Sequence, residues 1–273
     1  MSRKLCIALF VVVLSCGSIA SAEVAGTHML FNNVTEEQYR DEVFIKQPVR
    51  YYSAGVDVDK FTLKYYDSLS VMLLALMRGE IDYLDVPRDV GRYILENNPD
   101  LVLKGFDWWT AFASYTLSFG FLEDSSGLSK KFNEALAAMK KDGTLVMLKD
   151  TYIEQYGMND ALPAKIEMFD DAQTITAALT GDFPPIDYIA ADGTPAGFNV
   201  AVLAEIGRRL HVNIKTIHVE TGARLAALTS GRADVAFWFM GAPNGGGIPE
   251  KGEGLVLSEP YYAWNEYYYI GKK

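Results

Sequence analysis

The sequence predicts an α/β protein with two lobes, because one local pattern occurs twice and because strands alternate with helices. The segments "LLALMRGEIDYLD", residues 73–85, and "LAALTSGRADVAFW", residues 225–238, both read Leu-x-Ala-Leu-x-x-Gly-x-x-Asp. In each copy the leucines and alanine fit the last turn of an amphipathic helix, and the glycine suits the left-handed residue that ends it. The apolar run after each aspartate suits a strand covered on both faces. Alternating strands and helices predict mainly parallel sheets flanked by helices.

The first run of elements extends from residue 27 to residue 106. Strands are predicted at "THMLF", "FTLKYYD", "IDYLDV" and "LVLKGF", and helices at "EEQYRDEVF", "SLSVMLLALMR" and "RDVGRYILENN". Asn32, Asn33 and Thr35 are candidate N-caps of the first helix, and Ser68 is a candidate N-cap of the second. A strand at "YTLSFGFL" and helices at "LSKKFNEALAAMKKDG" and "TLVMLKDTYIEQY" follow.

The alternation stops at residues 157–171, which have no hydrophobic period and are predicted to be a linker, and it restarts afterwards. Strands are predicted at "TITAALT", "VNIKTIHV" and "ADVAFWF", and helices at "FNVAVLAEIGRRL" and "ARLAAL". The stretch "GDFPPIDYIAADGTPAG" is predicted to be a loop, and strand-like aromatic runs in "LVLSEPYYAWNEYYYIGKK" close the chain.

Residues 1–22 have the features of a secretory signal peptide. Arg3 and Lys4 precede the apolar run "LCIALFVVVL", and Ala20-Ser21-Ala22 offers small residues for cleavage. The alternative is lipid attachment at Cys16, although leucine two positions before this cysteine suits that poorly. Either way the protein is expected to be exported, to the periplasm by the first interpretation.

Composition excludes several functional classes. Cleavage after Ala22 would remove both cysteines, so neither a disulfide nor a zinc–thiolate site is expected. The formal net charge is −10, or −12 once Arg3 and Lys4 have left, and such a charge argues against a nucleic-acid partner. The three histidines lack metal-ligand spacing, and no nucleophile motif or phosphate loop is present. No cofactor and no metal are therefore predicted.

Ordered motifs after the linker resemble a known family. Phe-Pro-Pro at 183–185, Asp-Gly-x-x-x-Gly-Phe-Asn-Val at 192–200, Gly-x-x-Asp at 231–234 and Ser-x-Pro-Tyr-Tyr at 258–262 are similar to the first half of bacterial extracellular solute-binding proteins of family 3, the polar amino-acid type. The segments "KYYDSLSVMLLALMRGEIDYLD" and "LSKKFNEALAAMKKDGTLVMLKDTYI" resemble that family's second lobe and closing helices.

The two halves stand in reversed order, which indicates a circular permutation of the two-lobe periplasmic-binding-protein fold (type II). The expected divisions are a signal peptide at 1–22, the family's second lobe at 23–114, a crossover strand with closing helices at 115–156, a linker at 157–171, and the family's first lobe at 172–273, ending in the other crossover strand. A monomer is expected, and a domain-swapped dimer satisfies the same sequence.

The resemblance implies a solute held between the lobes by hinge closure, for an ABC transporter permease or a membrane sensor. Phe183 lies where the family stacks an aromatic on its ligand, and Thr221 lies where a second aromatic usually stands. The family's hydroxyl residues and carboxylate-clamping arginine are replaced by Trp238, Phe239, Met240 and Gly241 with no arginine following. Arg224 or Arg88 is the candidate replacement cation.

The family's second lobe is changed as well. Asn33 and Thr35 match its Gly-Thr-Thr helix start in part, and Pro87 takes the place of the aspartate that receives an α-ammonium. Asp85 and Asp89 flank Pro87 and are expected to be solvated surface acids rather than substitutes for that aspartate.

Three functions stay open at this level. Trp238 and Phe239 either line a site for a larger or less polar solute, or they plug a cleft that serves only a partner. Some relatives with this fold are cyclohexadienyl dehydratases, for which only Asp182, Asp187 and Glu220 lie on suitable loops. Solute binding without catalysis is the preferred prediction, with Asp182 counted among the ligand-binding candidates.

Overall fold

The structure is a computed structural model that describes residues 23–28, 51–53, 62–108, 115–123, 126–155, 164–241, 252–264 and 266–273. Its strands form two six-stranded sheets and one small three-stranded sheet. Within these residues no helix has both the length and the apolar character needed to cross a membrane. The predicted helix at "EEQYRDEVF", the leader, and the cap candidates Asn32, Asn33 and Thr35 lie outside the described residues.

The first large sheet, with its two helices, is called lobe A. Its strands are β1 (Val24–His28), β2 (Tyr51–Ser53), β3 (Thr62–Tyr66), β4 (Tyr83–Pro87), β5 (Leu101–Trp108) and β15 (Glu266–Lys272). Helices α1 (Leu69–Arg78) and α2 (Arg88–Asn97) accompany them, and the strand order is β2-β5-β15-β4-β1-β3. Ser68 caps α1 by accepting a bond from Val71 N, as the sequence predicts.

The second large sheet belongs to lobe B. Its strands are β6 (Tyr115–Leu122), β7 (Thr174–Leu179), β11 (Asn213–His218), β12 (Val235–Gly241), β13 (Leu255–Leu257) and β14 (Tyr262–Trp264). The order is β11-β7-β12-β6-β13, and β14 also pairs with β6. Lobe B includes the helices α3 (Ser126–Lys141), α4 (Thr144–Lys149), α5 (Phe198–Leu210) and α6 (Arg224–Thr229), a π-helical segment (Asp150–Glu154) and a 3₁₀ turn (Thr221–Ala223).

The repeated sequence pattern has the same structural role in both lobes. After α1, Gly79 has φ +76°, and after α6, Gly231 has φ +68°, so both helices end at a left-handed glycine. Asp82 Oδ2 then accepts a hydrogen bond of 2.8 Å from Val24 N, and Asp234 Oδ2 accepts one of 2.8 Å from Thr176 N. Each aspartate thus ties the strand that follows it to the adjacent parallel strand.

The prediction of mainly parallel sheets is wrong in its detail. Each large sheet has a parallel core of three strands, β3-β1-β4 in lobe A and β11-β7-β12 in lobe B. The remaining described strands of both sheets pair antiparallel, including β15 with β4 and β5, and β6 with β12. Both sheets are therefore mixed, because the connections between the lobes return through them in the opposite direction.

Two passages of the chain connect the lobes. One runs from β5 in lobe A to β6 in lobe B, and the other runs from β14 in lobe B to β15 in lobe A. The predicted crossover "WNEYYYIGK" is the second of these. The predicted strand "YTLSFGFL" lies wholly within lobe B as β6, so the first crossing precedes it.

Residues 180–197 are not a simple loop, which corrects the prediction. They form a small antiparallel sheet of β8 (Asp182–Phe183), β9 (Asp187–Ile189) and β10 (Pro195–Ala196). The Pro184-Pro185 peptide bond between β8 and β9 is cis. The sheet packs Phe183 and Ile186 into the core of lobe B, where both are fully buried.

Candidate functional site

The small sheet brings a carboxylate into the interior of lobe B. Asp187 Oδ2 accepts hydrogen bonds from Thr180 N and Thr180 Oγ1, both 2.9 Å long, and from Gly181 N at 3.3 Å. Asp187 is fully buried. Burial raises its pKa above the ordinary aspartate range, although the hydrogen bonds from Thr180, Gly181 and Trp238 oppose that shift.

Trp238 completes this arrangement from strand β12. Its ring stacks on Phe183, with 5.2 Å between ring centroids and 14° between ring planes. Its Nε1 donates to Thr180 Oγ1 at 3.0 Å and to Asp187 Oδ2 at 3.2 Å. Phe183 and Trp238 are both 0% exposed, so Trp238 covers the aromatic ring that the sequence places against a ligand.

The backbone of Trp238 is unusual for a strand. Its φ is +40°, a left-handed value that a bulky residue rarely adopts. The pairing of β12 with β6 shifts register between Ala236 and Phe239, which is the signature of a β-bulge. The bulge re-aims the tryptophan, and the indole hydrogen bonds and the stack on Phe183 offset its backbone strain.

Arg224 lies beside the same ring rather than free in a cleft. Its guanidinium carbon lies 4.5 Å from the centroid of Trp238 and 4.8 Å from that of Phe239. It donates to Thr221 O at 2.9 Å and to Trp238 O at 2.7 Å, and it is 0% exposed. The hypothesis that Arg224 clamps a ligand carboxylate is therefore corrected, because its donors point to backbone carbonyls of lobe B.

Asp182 connects the two lobes. Its Oδ2 accepts a hydrogen bond from Leu69 N at 2.8 Å, and its Oδ1 accepts one from Ser70 Oγ at 2.7 Å. Leu69 and Ser70 form the first turn of α1 in lobe A, where the helix dipole favours a negative charge. Strand β8, which also holds Phe183, therefore lies at the face between the lobes.

A polar cavity of about 160 Å³ lies where the lobes meet. Lobe A contributes Arg88, Asp89 and Glu266, and lobe B contributes Lys149, Glu154, Tyr262, Ala263 and Trp264. The ring of Trp264 also lies 6.2 Å from that of Phe183, so the cavity borders the buried aromatic pair. Arg88 is the only predicted ligand-binding residue among those that line it.

Ion pairs line this cavity, and the pair between Arg88 and Glu154 joins the two lobes. Arg88 binds Asp89 at 2.9 Å and Glu154 at 3.2 Å, and its Nη1 lies 3.8 Å from Glu266 Oε2. Lys149 binds Glu154 at 3.3 Å. Burial raises the pKa of Glu266; it acts likewise on Glu154, but the nearby cations outweigh it and lower the pKa of that carboxyl.

The acids beside Pro87 are not surface residues, which corrects that expectation. Asp85 is 6% exposed and Asp89 is 3% exposed. Asp89 accepts a short hydrogen bond from the Tyr262 hydroxyl, and burial together with Asp89 raises the pKa of Tyr262 well above its usual range. Asp89 thus links α2 of lobe A to strand β14 of lobe B.

The remaining candidates divide between buried and undescribed positions. Thr221 is buried in the 3₁₀ turn, Phe239 is buried in β12, and the backbone of Gly241 pairs with Thr116. Asn33 and Thr35 lie outside the described residues, so their predicted role stays a prediction. Among the residues described, no group of His, Cys, Asp and Glu side chains could hold a metal ion.

Sequence reasoning missed Thr180 as the partner of Trp238, and it missed the lining formed by Lys149, Glu154, Tyr262, Trp264 and Glu266. The aromatic run "YYAWNEYYY" was the available signal for part of that lining. The other residues are far apart in the chain, and only the pairing of β14 with β6 and the closing helices bring them together.

Comparisons with known proteins identify part of the chain. Residues 175–270 match the family model of bacterial extracellular solute-binding proteins, family 3. A comparison with curated proteins finds no match.

Solved structures resemble the chain at low identity. A putative L-cystine ABC transporter protein from Listeria monocytogenes has 14% identity, 92% of this chain and 83% of that chain covered, and a TM-score of 0.41. The GluR0 ligand-binding core from Nostoc punctiforme, in complex with L-glutamate, has 12% identity, coverage of 92% and 85%, and a TM-score of 0.37. A periplasmic binding protein from Brucella ovis with glutathione bound has 11% identity, coverage of 92% and 62%, and a TM-score of 0.43.

The family match confirms the class that the sequence motifs predict, and members of that family are extracellular proteins. The matched stretch, residues 175–270, includes the Phe183–Trp238 pair, strand β14 and most of strand β15, and over it the chain is similar to the bacterial extracellular solute-binding proteins, family 3.

Proposed function

We propose that the protein is an exported solute-binding protein that captures a small molecule between lobes A and B and delivers it to an ABC permease or presents it to a membrane sensor. The observation that supports this most is the family match at residues 175–270, in a chain with two sheets of the same parallel core joined by two crossings. Hinge closure of two such lobes is a general way to enclose a ligand.

The proposed place for the solute is the polar cavity at the junction. Asp89, Glu154 and Glu266 supply three carboxylates, and Arg88 and Lys149 supply two cations. This balance favours a solute with an ammonium group, which the carboxylates would bind, and Tyr262 and Trp264 complete the lining. Arg88 Nη1, whose contact with Glu266 is long at 3.8 Å, could bind a solute carboxylate. An amino acid or a small peptide has this combination of charges.

Thermal denaturation of the wild-type protein with amino acids, aromatic acids and small peptides tests the proposal. At least one amino-acid-like solute is expected to raise the melting temperature, since a ligand present at about 100 times its Kd contributes about 2.7 kcal/mol. Glu266→Gln should weaken the binding of that solute, whereas Glu253→Gln, a change at an exposed position, should leave its binding unchanged. If no solute raises the melting temperature of the wild-type protein, the proposal that it captures a small molecule is contradicted.

A second function is a ligand-free protein that binds only a partner. The observation that favours it is the stack of Trp238 on Phe183, which fills the position expected for a ligand. If no solute in the panel raises the melting temperature and the protein still binds a membrane partner, the partner-binding function is supported. Turnover of prephenate or arogenate would instead select the dehydratase alternative and contradict both binding functions.

We also propose that residues 1–22 are a signal peptide and that the halves are circularly permuted, with the divisions at 114, 156 and 171 given above. The positions of β1 and β15 support the permutation. Val24, at the start of β1, bonds to Asp82, and a Cβ on Gly271, near the end of β15, would lie 3.1 Å from Asp82 O. The start of β1 and the end of β15 therefore lie beside the same residue, and a short link between these two strands would restore the family's order.

A further inference from the structure

We propose that the Trp238 indole acts as a built-in ligand: it occupies the site in lobe B that would otherwise take a planar heterocycle with an N–H donor, and so excludes such solutes. The inference rests on the proposed function and adds a specificity-determining residue to it. The wild-type protein would then bind solutes that fit the polar junction cavity, and it would not bind solutes that need to stack on Phe183.

The indole has the full set of contacts that a bound ligand would need. Phe183 provides a nearly parallel ring at 5.2 Å, and the Arg224 guanidinium lies 4.5 Å from the indole centroid. Thr180 Oγ1 and Asp187 Oδ2 both accept from Nε1. One aromatic wall, one cation and two acceptors make a specific site for a flat N–H donor rather than a generic apolar space.

The Trp238 backbone is conformationally strained in the position that places the indole in this site. A tryptophan at φ +40° inside a strand is strained, and the register shift between Ala236 and Phe239 shows that β12 leaves regular pairing at this point. Such strain persists only where surrounding contacts outweigh it, and it is concentrated at functional positions. An ordinary core residue of the strand would need neither feature.

The location couples the occupant to the interface between the lobes. Asp182, which precedes Phe183, binds the first turn of α1 in lobe A. The Phe183 ring also lies 6.2 Å from Trp264, which lines the junction cavity. A molecule that replaced the indole would therefore stabilise β8 in the position that holds the lobes together.

The test removes the built-in ring and supplies free indole. Trp238→Ala is expected to bind indole and to gain melting temperature with it, whereas wild-type protein should not respond. 1-Methylindole should bind about tenfold more weakly than indole, because it cannot donate to Thr180 and Asp187. Small-angle X-ray scattering should show that indole reduces the radius of gyration of the variant.

A matched control separates a ligand site from any cavity in the core. Phe132 is fully buried in lobe B against Phe119 and Phe121, at ring distances of 5.3 and 5.2 Å. Phe132→Ala should create an apolar cavity that treats indole and 1-methylindole alike and leaves the scattering curve unchanged. Trp238→Gly, which also empties the site and suits the positive φ of this position, serves if the alanine variant does not fold.

Three results would overturn the proposal. These are equal affinity of the Trp238 variants for the two indoles, indole binding with no compaction, and failure of both Trp238 variants to fold even in saturating indole. Each would mean that the ring is only part of the core. None would affect the solute screen of the wild-type protein, so failure of this inference and failure of the proposed function are distinguishable.

Discussion

Arg224 places its guanidinium group in the interior of lobe B, where the residue is 0% exposed. Its hydrogen bonds to the carbonyls of Thr221, Phe237 and Trp238 hold the 3₁₀ turn against β12. Arg224→Ala should lower the free energy of unfolding by about 2–4 kcal/mol, because it leaves buried carbonyls without donors and opens a cavity. Chemical denaturation measures the loss. Arg232→Ala, a change at an exposed position, should alter the free energy of unfolding by less than about 0.5 kcal/mol. An equal loss in both variants would contradict the role of Arg224 in holding the 3₁₀ turn against β12.

At the residue scale, sequence reasoning predicted which side chains matter better than what they contact. The Phe-Pro-Pro motif drew attention to Phe183, but the ring stacks on Trp238 and is fully buried, so its predicted contact with a ligand stays a prediction. Trp238 was visible as a departure from the family pattern. Their stack was not predictable, because it depends on a β-bulge in β12 that propensity does not specify. The sequence pattern places Asp187 on a loop, but the small sheet buries this residue completely.

At the scale of elements, the turn into α5 depends on a glycine that no other residue can replace. Gly197 has φ +104°, and a Cβ there would lie 2.6 Å from Pro185 O and 2.7 Å from Ile186 O. Gly197→Ala should therefore cost more than about 3 kcal/mol, from backbone strain together with a steric clash.

Gly193 is the matched control for this prediction. It also has a positive φ, +83°, but open space surrounds its Cβ position. Gly193→Ala should cost only about 1–2 kcal/mol, the conformational penalty alone. Equal unfolding free energies for the two variants would show that the close contact with the Pro185 and Ile186 carbonyls is unimportant.

The start of α4 depends on a carboxylate whose ionisation should be visible in acid. Hydrogen bonds from the side chain and backbone of Thr144, together with Arg209, lower the pKa of Asp142 to about 2. Because the folded-state pKa is depressed, this contribution to stability is present above the ordinary aspartate pKa and is lost as the pH falls toward about 2.

Melting temperatures between pH 5 and pH 2 test this. Asp142→Asn should lose stability at pH 5 relative to wild type, and the difference should shrink toward pH 2. Asp100 is exposed, and the melting temperature of Asp100→Asn should follow that of the wild type between pH 5 and pH 2. A pH-independent difference for Asp142→Asn would contradict a role for its charge.

Element by element, the sequence predicted most helices and strands because they have clear periods and end signals. Helix α1 is an example, with Ser68 at one end and Gly79 at the other. Two expectations failed for reasons beyond local pattern. Residues 180–197 form paired strands too short to show alternation, and the strands that connect the lobes run antiparallel to the parallel core, which only the tertiary fold determines.

At the scale of the whole molecule, the two lobes share one construction. The parallel cores β3-β1-β4 and β11-β7-β12 have the same order, and Asp82 and Asp234 each bond a strand residue 58 positions earlier. Each core then adds the antiparallel strand of a crossing, β15 in lobe A and β6 in lobe B. The sequence repeat indicated this symmetry correctly, although the pairing of the crossing strands could not be deduced from it.

The proposed permutation predicts that the halves can be restored to the family's order. A chain that runs from residue 172 to 273, then through a short Gly/Ser link to residues 23–156, should fold with a melting temperature within a few degrees of wild type. New termini placed inside α5, between Ile206 and Gly207, should prevent folding, because they interrupt a buried helix. Failure of the restored chain to fold, measured by circular dichroism, would argue against the permutation.

Small-angle X-ray scattering of the Asp182→Ala variant tests most directly whether two lobes close over a solute. The wild-type protein should have a radius of gyration of about 18 Å, the value for a compact chain of this length. Asp182→Ala should be larger, because α1 loses its partner in the other lobe, and a stabilising solute should compact it again. Asp192→Ala, which removes bonds only to its own turn, is the control. A single curve shared by all three proteins, with and without solute, would contradict the two-lobe account.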